Sequence, residues 1–196
     1  MTSLDALLRD IRACRICEPH LEHGVRPVLG VGAGARILIA GQAPGIRVHR
    51  TGIPWNDPSG DRLRDWLGVD RETFYDTSKF AIVPMGFCYP GTEKGKGDLP
   101  PRSECRATWH DRLMALTPGI ELTLCLGRYA IDYHLPARKG SALTDTVRAW
   151  RELMPTHLAL PHPSGRNNGW LKRNPWFEAE VLPLLMERVS NLVGPG

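Results

Sequence analysis

Two kinds of residue in this 196-residue chain could do chemistry: thiols spaced like ligands, and polar side chains gathered in glycine- and proline-rich loops. Cys14 and Cys17 form a C-x2-C; Cys88 follows after 70 intervening residues and Cys105 after another 16. Cys125 lies inside the apolar run ELTLCL and suits a small buried hydrophobe. Five cysteines, an odd number, with no visible export signal, point to metal or thiol chemistry rather than a disulfide framework. A thioredoxin-type pair is disfavoured because Cys14 precedes any predicted strand. Four thiolates from three segments suit structural zinc or an iron–sulfur cluster, and spacing alone does not separate the two. The loops are GQAPG at 41–45, PMGFCYPG at 84–91, GR at 127–128 and PHPSGR at 161–166. Gly30, Gly32 and Gly34 alternate like a nucleotide loop, but they precede a strand instead of following one, which excludes a dinucleotide fingerprint.

Four β-type runs must carry these loops: RILIA at 36–40, FAIV at 80–83, ELTLCL at 121–126 and THLAL at 156–160. Each is short and almost continuously apolar, as expected of strands buried on both faces of a parallel sheet. Helical spacing appears at 61–67, 103–116, 128–134 and 144–153, with further helices at 4–14 and 176–193. Thr2 or Ser3 would cap the first helix and Pro175 would open the last. The alternation predicts right-handed crossovers and an α/β fold: a three-layer α/β/α sandwich on a four-stranded parallel sheet, one domain over 1–196. Ligands of such sheets gather at the carboxyl ends of the strands, so the four loops share one rim.

Composition agrees with a globular chain. Hydrophobic residues are 42% and charged residues 23%, which argues against disorder, and no run approaches the ~20 apolar residues of a membrane span. The acidic N-terminal segment shows no secretory cleavage site, so a cytoplasmic protein is expected. A net charge of +4 permits a polyanionic partner without requiring one.

Taken in order, the motifs resemble the uracil-DNA glycosylase superfamily, especially its iron–sulfur branch, family 4. The likeness runs through Cys14-x2-Cys17, PVLGVG at 27–32, RILIAGQAPG at 36–45, GIPW at 52–55, SGDRL at 59–63, Cys88, PPRSEC at 100–105, LGRYA at 126–130 and HPSGRN at 162–167. A second echo, in TGIPW, RDWLG at 64–68 and HPSGRN, is to the single-strand-selective monofunctional uracil glycosylases. The resemblance implies a structural [4Fe–4S] cluster on Cys14, Cys17, Cys88 and Cys105, with zinc as the alternative occupant.

It also implies a DNA partner carrying a damaged or deaminated base, met by a monomer. A glycosylase extrudes its base and reads it in a pocket. His162 would donate to the departing base, Trp55 would stack on it, and Ala43, Met85 and Gly86 would complete the base pocket. Pro44, Gly45, Ser164 and Gly165 would let backbone approach the DNA, and Arg166 would wedge into the duplex or bind phosphate. Arg47, His49, Arg50, Lys94 and Lys96 could add counter-charge. Trp66, Trp109 and Trp150 read as core packing.

Two departures from the family stand out. Gln42 occupies a position where family 4 carries Glu, so the first loop holds no general base; Gln42 would orient the water through its amide, and Asp57, the nearest carboxylate in a motif loop, would serve as base or stabilise the sugar cation. Where uracil readers place an Asn after the second strand, this chain has PMGF at 84–87, leaving only the Met85 and Gly86 amides to read a base edge. No lysine in the motif loops suits a Schiff base, which predicts a monofunctional enzyme. The competing expectation is a non-catalytic nucleic-acid-binding member of the fold, and a small-molecule nucleoside hydrolase is the third.

Overall fold

The computed structural model describes residues 3–95 and 97–194. The capping candidate Thr2 and the cation Lys96 lie outside the described residues. The helices are α1 (Leu4–Arg12), α2 (Ile46–Thr51), α3 (Pro58–Leu67), α4 (Arg71–Tyr75), α5 (Ser103–Met114), α6 (Arg128–His134), α7 (Leu143–Arg148), α8 (Trp150–Leu153), α9 (Asn168–Arg173) and α10 (Leu182–Val193). The strands are β1 (Ile37–Ala40), β2 (Phe80–Ile82), β3 (Thr92–Glu93), β4 (Gly97–Asp98), β5 (Leu122–Leu126) and β6 (His157–Leu160). Four of them form a parallel sheet in the order β2-β1-β5-β6, with Ile37 opposite both Phe80 and Leu122.

Burial on both faces explains the continuous apolar runs. Side chains alternate across a strand, and the core divides accordingly. Ile37, Ile39, Phe80 and Ile82 face a cluster with Leu63 and Trp66 of α3 and Leu185 and Val189 of α10. Leu38, Ala81 and Val83 face the other way, against Leu7 and Ile11 of α1 and Trp109 and Leu113 of α5. Those two clusters are the two interfaces of the three-layer sandwich. The outer edge of β2 is covered by Gly30, which exchanges backbone hydrogen bonds with Ile82, so the PVLGVG motif closes a sheet edge.

Two long helices expected from spacing are broken. The 144–153 stretch bends at Ala149 (ψ 15°), which separates α7 from α8. The 176–193 stretch begins as a π-turn over Phe177–Val181, because Pro183 has no N–H to continue the ordinary ladder. Four short elements escaped the spacing: α2, α4, α9 and the antiparallel hairpin of β3 and β4. Among the described residues, no helix is long and apolar enough to cross a membrane.

Candidate active site

The carboxyl ends of β1, β5 and β6, with the loop after β2, surround an open cavity of about 490 Å³. It brings together Gln42, Ala43, Pro44, Gly45, Trp55, Asp57, His162, Ser164 and Arg166. Gly165 does not line it.

Trp55 and His162 form its centre, their rings stacked with centroids 5.4 Å apart and planes at 30°. Gly41, at the end of β1, leaves room for the indole: a β-carbon there would lie 3.1 Å from Trp55 Cζ2. Trp55 itself has φ 54°, in the left-handed region. Its loop is held from beneath, with Tyr75 Oη donating to the Pro54 carbonyl at 2.7 Å and Arg71 Nη2 donating to Asn56 Oδ1 at 2.9 Å. Gly60, in the first turn of α3, is required here, because a β-carbon would sit 1.7 Å from the Trp55 carbonyl oxygen.

His162 is held by its backbone, its carbonyl accepting from Asn167 Nδ2 at 2.7 Å. Arg62 steadies the same loop through Asn168 Oδ1 at 2.8 Å and the Ser164 carbonyl at 3.4 Å. Among the described residues, the His162 ring nitrogens make no hydrogen bond. Burial holds the imidazole below its ordinary pKa against the pull of the Asp57 and Asp98 carboxylates, with Arg166 adding to the lowering. A neutral imidazole presents one N–H donor and one acceptor to the cavity.

The first-loop and carboxylate candidates are engaged in ways spacing did not reveal. Gln42 Nε2 donates to the Leu99 carbonyl at 3.0 Å, tying its loop to the chain after β4. Asp57 lines the cavity and also caps α3, Oδ1 accepting from the Gly60 amide at 2.9 Å. The expectation that Met85 and Gly86 would read a base does not survive the geometry. The Met85 amide donates to Gly41 O and the Gly86 amide to Gln42 O, both at 2.9 Å, and neither residue lines the cavity. These bonds continue the β1–β2 ladder past the strand ends, and Met85 packs into the core.

Asp98 and the β3–β4 hairpin form a cavity wall that sequence reasoning missed. The signal was GTEKGKGD at 91–98, whose glycines permit the turn, with Gly95 and Gly97 both at positive φ. The Arg166 guanidinium rests against bare Gly97, where a β-carbon would lie 1.8 Å from Nη1. The hairpin and the last loop thus meet across the mouth.

Cys14, Cys17, Cys88 and Cys105 line a second, narrow cavity of about 20 Å³, walled by apolar side chains such as Ile11, Ile16 and Trp109. All four are free thiols. Burial, with the neighbouring thiols, pushes Cys88 up to about 11 and Cys105 up to about 12. A bound cation reverses that balance and favours thiolate. Among the described residues, no group of three or more His, Cys, Asp or Glu side chains is arranged to hold a single metal ion.

The profile of the Uracil DNA glycosylase superfamily matches residues 29–186. The chain is 31% identical over 137 residues to the type-4 uracil-DNA glycosylase of Archaeoglobus fulgidus, a stretch covering 68% of this chain and 64% of that one. It thus spans a little under two thirds of that relative. A solution NMR structure of a Methanosarcina acetivorans protein, provisionally described as a uracil DNA glycosylase, superposes with a TM-score of 0.49 at 17% identity, over 83% of this chain and 98% of that one. The chain belongs to the uracil DNA glycosylase superfamily and stands near its type-4 branch.

Proposed function

We propose that the protein is a monofunctional DNA glycosylase that hydrolyses the N-glycosidic bond of uracil or a related deaminated base. One observation carries this: an indole face and an unpartnered imidazole share a cavity at the carboxyl rim, with two carboxylates and an arginine around them. Bond cleavage leaves negative charge on the base and positive charge on the sugar. A neutral His162 donates to the base oxygen as charge collects there, the role of an oxyanion hole. The 5.4 Å between the two rings is less than the two stacking gaps, about 3.4 Å each, that an inserted base needs. The base therefore lies against the Trp55–His162 pair and meets the imidazole by its edge.

Pro44, Gly45 and Ser164 present backbone and hydroxyl at the mouth for phosphate, with Arg166 beside them. The engaged Met85 and Gly86 amides leave the base edge to other groups, so bases besides uracil belong in the test.

The cysteine cavity supports a [4Fe–4S] cluster on Cys14, Cys17, Cys88 and Cys105. The donor set fits: four thiols from three segments line one apolar cavity. When bound, the group supplies a cross-link between the end of α1, the loop after β2 and the first turn of α5.

The test is an excision panel of uracil, hypoxanthine and xanthine in single- and double-stranded oligonucleotides. Abasic product is expected from the wild type, and His162→Ala should lower the single-turnover rate by about 10²–10³-fold. Salt-dependent DNA binding without product from any base would instead mark a binding module.

A further inference from the structure

The loop after β1 offers no carboxylate, and one oxygen of Asp57 is committed to capping α3. Asp98 is the other acid of the cavity wall, and its surroundings hold it in place. Its Oδ1 accepts from Thr92 Oγ1 at 2.8 Å across the hairpin, and that hydroxyl is also hydrogen-bonded to Oη of the buried Tyr89. Its Oδ2 lies over Gly45, 3.5 Å from where a β-carbon would stand, so the carboxylate reaches from the hairpin to the first motif loop. The next residue is pinned on both sides: the Leu99 amide donates to Gly91 O at 2.9 Å, and the Leu99 carbonyl accepts from Gln42. Asp98 remains exposed, so water reaches it.

We propose that Asp98 is a catalytic carboxylate that takes the proton of the attacking water and faces the positive charge on the sugar. This rests on the glycosylase reading above. The C1′–N bond breaks with its electron pair leaving on the base, against His162. The water oxygen bonds to C1′, its proton passes to Asp98, and from there the proton returns to the expelled base. Gln42 then serves as a positioning residue that holds the hairpin against the cavity, and its amide handles no proton. The acid missing from the first loop is supplied by a hairpin distant in sequence.

The test uses the deaminated base that the wild type excises fastest. Asp98→Asn should lower the single-turnover rate by about 10²-fold while affinity for abasic-site DNA stays within about threefold. Added formate should restore Asp98→Ala by about tenfold and leave His162→Ala unchanged, a response that a purely structural aspartate would not give. Thr92→Val, which removes one hold on Asp98, should lose about three- to tenfold and decides the matter if the Asp98 variants do not fold. An active wild type with Asp98→Asn or Thr92→Val at its rate overturns the assignment and leaves the glycosylase reading standing. A wild type inactive on every base overturns both.

Discussion

The two cavities share a stretch of chain yet are built on opposite principles. Pro84 faces the first cavity, Gly86, Phe87 and Cys88 the second, Asp98 the first again, and Arg102, Glu104 and Cys105 the second again. The hairpin that walls the reaction cavity is therefore an excursion between two thiols. The cysteine cavity is apolar and narrow, with four partly buried thiols on its wall, conditions that suit a group held permanently. The reaction cavity is open and polar, with charges of both signs, conditions that suit a ligand which enters and leaves. Stability should accordingly concentrate at one and chemistry at the other.

The largest effect should come from breaking the cysteine side. Cys105→Ser is expected to lower stability by about 3–5 kcal/mol and to abolish iron binding, read from denaturation midpoints and from the visible spectrum and iron content of fresh protein. An iron-free wild type of equal stability would erase the contrast.

Next is a pH effect seated away from both cavities. Burial, with His110 and His157 nearby, pushes the His134 pKa from 6.5 to about 4. Because the folded value is depressed, its contribution is complete above pH 6.5 and is lost as pH falls toward 4, on the order of 3 kcal/mol. Denaturation midpoints across that window should show the slope in wild type and a shallower one in His134→Asn.

The smallest effect separates the two acids of the reaction cavity. Asp57→Ala should lose about 1 kcal/mol, measured by thermal unfolding, because it uncaps α3. A rate loss at Asp57 exceeding that at Asp98 would return the chemistry to the motif loop.

What could be read from the sequence follows from how strongly each feature depends on neighbours. The four sheet strands were legible to within one residue at each end, because burial on both faces writes a continuous apolar run. Helix α6 was legible at both ends. Helices α2, α4 and α9 have only five or six residues, too few to show a period. The hairpin is polar and two residues per strand, and only its glycines mark it. At the site, residue types could be read and their commitments could not. Nothing local shows that the Met85 and Gly86 amides extend the sheet ladder, that Gln42 reaches Leu99, or that Asp57 caps a helix beginning at Pro58 rather than near Asp61. Each is a bond whose partner is chosen by the tertiary arrangement.

The left-handed backbone at Trp55 sets robustness against function at one position. A bulky L-residue held there costs about 1–2 kcal/mol, and the surrounding bonds keep it in place. Glycine or asparagine would relax that backbone and remove the aromatic face, so drift toward a sturdier fold would erode the cavity from its floor. Keeping a tryptophan in so uncomfortable a place means accepting a slightly weaker protein in exchange for a surface already shaped to meet a flat ring.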